Sequence, residues 1–280
     1  MPTEPAPARL GEIVLADART LAYAEHGPAD GRPVLFLAGA GTGRSMTFGD
    51  AELERRGIRL ITVDRPGLGA STHDPAKTFA SVATDLAELL RRLGVERPRV
   101  VANSQGAPFG LALALAGAAA ELVLVSPADE VAHPEVRAQL PDHLRQLVDA
   151  AAEDPDGVRR HLETFTPGAM FDLVMSNVPD SDRPVYGDAR FASRYRLALE
   201  EGFAQGAAGY ALDTLLAMRA WGLPLERLEV PVAIRFGEDD EVHSPDRGET
   251  LARRIPGAER TVVAGVGGSL LWARPEVALD

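Results

Sequence analysis

The sequence predicts an α/β protein, a doubly wound and mostly parallel sheet with a helical cap insertion. Short runs of residues that are apolar on both faces recur along the chain, as in strands covered by helices on both sides. Helical patterns separate most of these runs, and this alternation favours a parallel sheet. The stretch from about residue 133 to 204 breaks the alternation, because it has six prolines and no strand pattern.

The predicted elements follow one another in order along the chain. Strands are expected at 11–16, 21–26, 33–37, 59–63, 100–102, 122–125 and 230–236, with a last strand after residue 258. Thr78 is a good N-cap for a helix with apolar residues at helical spacing, and Gly94 ends it. Ser244 and Pro245 predict the cap and first turn of a helix over 246–255. A final helix is expected over 270–278.

The length of 280 residues suits one large α/β domain or two small ones. We expect a core formed by residues 8–131 and 205–280. The helical pattern at 132–204, inserted between two sheet strands, is interpreted as a cap or lid over that core.

Composition excludes several kinds of protein. The net charge of −12, from 41 acidic and 29 basic residues, lacks the basic footprint of a nucleic-acid or anionic-membrane binder. The absence of cysteine excludes disulfides, thiolate metal sites and cysteine nucleophiles. The first residues lack a basic and apolar leader pattern, and no apolar run is long enough for a bilayer. A cytoplasmic protein without membrane partners is expected, and the sequence indicates no oligomeric state.

Other site types lack their sequence signals. The glycines at 39–43 have no following Lys-Ser/Thr pair, so they do not form a phosphate-binding loop. No histidine and aspartate spacing resembles a zinc site. No metal or cofactor is therefore expected.

The segment Arg99–Gly110 carries the strongest chemical signal. An apolar strand runs into Ser104, which is flanked by small residues, and an Ala/Leu-rich helix follows. Such a turn holds the serine in a strained, exposed conformation at the carboxyl edge of the sheet. Gly106 lets the helix pack against the strand, and the turn directs the Gln105 amide to where an oxyanion would form. Ala102 stands where the usual pattern has glycine.

Taken with four other segments, this turn resembles the α/β-hydrolase fold superfamily, of the type with a helical cap. These segments are VLFLAGAGTGRS at 34–45, ITVDRPGLGAS at 61–71, FGEDD at 236–240 and IPGA at 255–258. The resemblance covers nearly the whole chain and is weakest in the cap. The fold hosts many reactions, so the function depends on the residues of the site.

The resemblance implies a role for each matching residue. Ser104 is the expected nucleophile, Asp240 the expected acid of the triad, and the amides of Ala40 and Gln105 the expected oxyanion hole. Asp239 is adjacent, so the acid could be displaced by one residue, although the Gly-x-x-Asp spacing favours Asp240. The histidine that often precedes the glycine of the oxyanion loop is replaced here by Ala38.

The second departure concerns the catalytic base. Gly268 stands where the resemblance places the triad histidine, and no histidine follows His243. A serine hydroxyl is a poor nucleophile without an adjacent base. We expect His243 to be the substitute base, because its loop leaves the carboxyl edge of the sheet. Asp240 or Asp129 would orient the ring.

Three functions therefore compete. The first is a serine hydrolase of an ester, lactone or thioester. The second is an isomerase, lyase or cyclase in which Ser104 is inert, and the third is a ligand-binding pseudoenzyme. Aromatic and methionine side chains concentrate in and after the predicted cap, which favours a small hydrophobic substrate. Asp64 and Arg65 are expected to brace their own loop.

Overall fold

A computed structural model describes residues 8–280. Residues 1–7, where no leader peptide is expected, lie outside the described part. The strands are β1 (Arg9–Val14), β2 (Thr20–His26), β3 (Arg32–Leu37), β4 (Ile58–Val63), β5 (Arg99–Ser104), β6 (Glu121–Pro127), β7 (Val232–Gly237) and β8 (Glu259–Val263). They form one sheet with the order β1-β2-β4-β3-β5-β6-β7-β8. β1 and β2 pair antiparallel with their neighbours, whereas β4, β3 and β5–β8 run parallel. The predicted fold class is confirmed.

The helices lie on both faces of this sheet and in the long connection between β6 and β7. Before β7 the described helices are α1 (Asp50–Arg56), α2 (Phe79–Arg92), α3 (Ala107–Leu115), α4 (Pro134–Arg137), α5 (Asp142–Glu153), α6 (Pro155–Leu162), α7 (Pro167–Ser176), α8 (Arg183–Tyr186), α9 (Ala189–Gly202) and α10 (Ala208–Met218). After β7 they are α11 (Glu249–Arg254), α12 (Leu270–Ala273) and α13 (Glu276–Leu279). Short 3-10 turns occupy Asp180–Asp182 and Leu225–Arg227.

Alternation along the strands divides the core between two faces. In β3, Leu35 and Leu37 join a cluster that contains the buried sides of α2 and α3. Val34 and Phe36 point the other way and join a cluster with α1, α12 and α13. Both faces of the central strands are therefore covered, which explains why their sequences are apolar throughout.

Two helices near the C-terminus differ from prediction. The helix expected over 246–255 is α11, which begins only at Glu249. The Ser244 hydroxyl donates to Asp129 Oδ2 at 2.8 Å and accepts from the Gly248 amide at 2.9 Å, just before the helix. The Asp246 carboxylate accepts from the Glu249 and Thr250 amides of the helix itself. The helix expected over 270–278 is split into α12 and α13 around Pro275, because proline disrupts a helix interior.

The connection from β6 to β7 contains α4–α10, and its part from 133 to 204 has helices and no strand, as the sequence predicts. A third buried cluster lies beneath these helices, and it includes Phe171, Phe203 and Tyr210. Trp221, which follows α10, packs in the core, 6.4 Å from the Phe79 ring. Within residues 8–280, none of the helices combines the length and apolar character needed to cross a bilayer.

Candidate active site

Ser104 ends β5 and lies in a tight turn before α3. Its backbone has a φ of 49°, in the left-handed region that side chains other than glycine rarely adopt. Gly106 closes the turn, because a Cβ at this position would overlap the carbonyl of Leu37 on the neighbouring strand. The strained serine backbone and the close strand–helix contact match the turn predicted from the sequence.

Two backbone amides near Ser104 have no partner within the described part of the chain. Among residues 8–280, no backbone carbonyl or side chain accepts a hydrogen bond from the amide of Ala40 or of Gln105. The loop that contains Ala40 adjoins the serine, since a Cβ on Gly39 would lie 3.3 Å from Ser104 Cβ and 3.6 Å from its Oγ. Two free amides next to a serine hydroxyl suit the binding of an oxyanion.

The buried Asp240 and the partly exposed His243 form a pair after β7. His243 Nδ1 lies 2.9 Å from Asp240 Oδ1 and 3.0 Å from Oδ2. The Asp240 carboxylate also accepts from the His243 amide at 3.2 Å, so it fixes both the ring and its backbone. Asp239 is exposed, and Asp129 bonds to Ser244 rather than to the ring. Of the candidate acids, only Asp240 contacts the imidazole.

Opposing effects set the two pKa values. Burial raises the pKa of Asp240, but its neighbours, chiefly the facing His243, outweigh that effect, so the net shift is downward. Burial lowers the pKa of His243, but the charge and hydrogen bond of Asp240, with a smaller effect of Asp182, raise it above its ordinary value. The carboxylate therefore favours the protonated ring, as an acid that assists a general base must do.

Gly268 faces this imidazole. A Cβ on Gly268 would lie 2.9 Å from His243 Cε1 and 3.2 Å from Nδ1, closer than carbon atoms pack without displacement. The same Cβ would lie 3.6 Å from Asp240 Oδ1. The His243 ring therefore occupies the space into which a side chain of residue 268 would project, beside the same carboxylate.

The backbones of Ser104 and His243 are both hydrogen-bonded to the segment that contains Ala128 and Asp129. The amide of Ala128 donates to the Ser104 carbonyl at 2.9 Å, and the next amide, of Asp129, donates to the His243 carbonyl at 3.1 Å. Within residues 8–280, no hydrogen bond joins the Ser104 hydroxyl to the ring. Catalytic hydrogen bonds are often long in unliganded enzymes and tighten when substrate binds.

The comparison with known proteins identifies the family. The sequence of residues 32–275 matches the family model of the alpha/beta hydrolase fold. The chain belongs to the α/β-hydrolase fold family. An uncharacterized hydrolase of Bacillus subtilis is 32% identical over 103 residues, 37% of this chain and 36% of that protein. The match thus spans about a third of that relative's length.

Two further relatives cover most of the chain. A 2-hydroxy-6-oxononadienedioate/2-hydroxy-6-oxononatrienedioate hydrolase of Cupriavidus pinatubonensis is 25% identical over 87% of this chain and 83% of its own. The crystal structure of the enol-lactonase from Burkholderia xenovorans matches with a TM-score of 0.69 and 20% identity, over 96% of this chain and 97% of that one. The structural match confirms the α/β-hydrolase fold.

One buried residue near this α/β-hydrolase site was missed by the sequence analysis. The carboxylate of Asp182, in the connection between β6 and β7, accepts from the Gly267 amide at 2.7 Å and from the Ser269 amide at 3.0 Å. It also accepts from the Ser269 hydroxyl at 2.7 Å. Asp182 thereby fixes the loop that places Gly268 against His243. Nothing local in the sequence separates it from the exposed acids around it.

Proposed function

We propose that the protein is a serine hydrolase of esters, lactones or thioesters with a hydrophobic part. Ser104 is the nucleophile, and His243, oriented by Asp240, is the base. The amides of Ala40 and Gln105 form the oxyanion hole. This assignment uses a base from the loop of the acid instead of the position after β8.

The main support for this proposal is the position of the His243 ring beside Gly268. The resemblance to the family places the triad histidine at residue 268, where this chain has no side chain. The His243 ring lies against that glycine, with Nδ1 bonded to Asp240. The imidazole thus stands beside the expected acid although it comes from another loop. This favours a relocated base over a lost one.

The reaction follows from these roles. Ser104 Oγ attacks the acyl carbon while His243 Nε2 takes the hydroxyl proton, because Nδ1 is engaged by Asp240. The carbonyl oxygen becomes an oxyanion held by the Ala40 and Gln105 amides. The imidazolium then gives its proton to the leaving alkoxide or thiolate. Water, activated by the same ring, releases the acid from Ser104.

The apolar cluster beside the oxyanion loop indicates the substrate class. Ala40 packs against the cluster beneath the helices that connect β6 and β7, together with Phe165 and Met175. Residues 132–204 would form the cap, and this cluster would receive the hydrophobic part of the substrate. Relatives named as an enol-lactonase, an esterase and a carbamate hydrolase are consistent with acyl-group hydrolysis.

The nucleophile is tested by intact mass after reaction with a fluorophosphonate. We expect one adduct on the wild-type protein, none on Ser104→Ala, and labelling slowed about 10²–10⁴-fold in His243→Ala, because a general base contributes a factor of this size. His143→Ala is the matched control, since this histidine is exposed on α5, and it should label at the wild-type rate.

Two outcomes of this labelling experiment would contradict parts of the proposal. A wild-type protein that unfolds cooperatively on heating but forms no adduct would contradict acyl transfer through Ser104. The site would then serve non-hydrolytic chemistry or ligand binding. Equal labelling of His243→Ala and wild type would retain the nucleophile and reject the base.

A further inference from the structure

Arg65 is a fully buried cation behind the oxyanion loop. It follows β4, and its guanidinium donates from Nη1 to the Ala38 carbonyl at 2.7 Å and from Nη2 to the Gly39 carbonyl at 3.0 Å. Its Nε donates to Asp213 Oδ2 at 2.8 Å. The guanidinium carbon lies 5.0 Å from the centre of the Phe109 ring. The Arg65 side chain therefore holds a loop that is distant in sequence, whereas the sequence predicted that it braces its own loop.

The contact with Gly39 bears on the proposed oxyanion hole. The carbonyl of Gly39 and the amide of Ala40 belong to one planar peptide unit and point in opposite directions. When the guanidinium holds the carbonyl from behind, it fixes the direction of the amide. A cation on the carbonyl also polarises the peptide, which strengthens the amide as a donor.

Helix α10 supports this arrangement from outside. Its Asp213 pairs with Arg65 and also with Lys77, whose Nζ lies 2.6 Å from Oδ1. All three side chains are at most 1% exposed. The next residue, Thr214, accepts a hydrogen bond at 3.0 Å from the side chain of Gln105, the residue that supplies the second proposed amide. Adjacent residues of one helix thus support both halves of the oxyanion hole.

We infer that Arg65, held by Asp213, is a positioning residue that aims the Ala40 amide at the transition-state oxyanion. This inference rests on the proposed function, since it deepens the role given there to Ala40. Arg65 acts through the peptide and does not touch the substrate. Lys77 shares Asp213 with it but donates to the carbonyls of Pro66 and Gly209, which lie outside the oxyanion loop.

Arg65→Lys tests the inference in the 280-residue chain, because it keeps the charge opposite Asp213 and loses the paired donation to two carbonyls. With p-nitrophenyl butyrate we expect kcat to fall about 10–100-fold with KM within about twofold, since loss of a whole oxyanion donor costs about 10²–10³-fold. Lys77→Met is the matched buried control. It should lower the melting temperature but leave kcat within about threefold, as it leaves the oxyanion loop untouched.

A second readout does not require turnover. In a protein labelled with ¹⁵N-alanine, the amide signal of Ala40, identified by its loss in Ala40→Gly, should shift in Arg65→Lys and stay in place in Lys77→Met. If the wild type hydrolyses no ester but the signal shifts, the proposed function fails while the positioning of the amide by Arg65 stands. The inference is overturned if the Ala40 signal does not move in Arg65→Lys. It is also overturned if Arg65→Lys leaves kcat of an active enzyme unchanged or alters only KM.

Discussion

The two sides of the candidate site are built in different ways. On the nucleophile side, Ser104 and Gln105 are consecutive residues of one turn, and Ala40 lies in the loop after β3. On the base side, the proposed base His243 lies in the loop of Asp240, and its ring faces Gly268, where the resemblance places the histidine. The nucleophile side thus depends on a strand–turn–helix unit and one further loop, whereas the base side depends on the meeting of three segments.

The difference shows which parts of such a site are exchangeable. The turn at Ser104 is fixed by its own backbone, with a φ of 49° and the close contact of Gly106 with β3. The imidazole needs only a place beside Asp240 with Nε2 free, and two loops reach that place. In the proposed function, the base is thus supplied by another loop while the nucleophile keeps its position.

The largest effect is expected from moving the base back. His243→Gly should lower kcat/KM for p-nitrophenyl butyrate about 10²–10⁴-fold, the usual contribution of a general base. The double variant His243→Gly/Gly268→His should recover about tenfold or more of that loss, because a side chain at 268 starts 3.6 Å from Asp240 Oδ1.

The single variant Gly268→His is the control for this exchange. It should be inactive, because both side chains would compete for one space beside Asp240. Two results would contradict the equivalence of positions 243 and 268 as sources of the base. One is full activity of His243→Gly, and the other is a double variant that is no more active than His243→Gly.

A smaller loss of activity is expected when a single methyl group is added at residue 268, opposite the His243 ring. Gly268→Ala places a Cβ 2.9 Å from His243 Cε1, so the ring must move away from its present position. We expect kcat to fall about 10–100-fold, since displacement of a catalytic group by about 1 Å costs up to about 10²-fold. Steady-state kinetics measure the effect. Gly168→Ala, at an exposed helical position, should leave kcat unchanged, and an active Gly268→Ala would argue against His243 as the base.

The smallest effect is a change in pH dependence. The wild-type kcat/KM should fall on the acidic side with a midpoint above 6.5, because Asp240, with a smaller effect of Asp182, raises the pKa of His243 and the base acts when neutral. Asp182→Asn removes one of these charges, so the midpoint should move to lower pH. Asp180→Asn, an exposed neighbour, is the control. An unchanged midpoint in Asp182→Asn would show that this carboxylate does not influence the pKa of His243.

Much of the fold was predictable because its signals are local. Apolar runs indicated the central strands to within a few residues, and the motif around Ser104 predicted its turn. The errors arose where the local pattern misplaced the start or the continuity of a helix. The Asp246 carboxylate accepts from the Glu249 and Thr250 amides, and α11 begins only at Glu249, beyond the cap predicted at Ser244. Pro275 divides the last predicted helix although the apolar pattern continues through it.

By itself, the sequence determined the fold class, the family resemblance and the candidates Ser104, Ala40, Gln105 and Asp240, because each of these residues lies in a short motif. It indicated His243 only through the place of its loop at the carboxyl edge of the sheet. Only the tertiary structure decided that the His243 ring fills the space beside Gly268 and bonds to Asp240 rather than Asp129. It alone showed that Arg65 reaches the carbonyl of Gly39, 26 residues away, and that Asp182 holds the Gly267 amide, 85 residues away. Such contacts depend on how the loops meet at the carboxyl edge of the sheet, which no local pattern encodes.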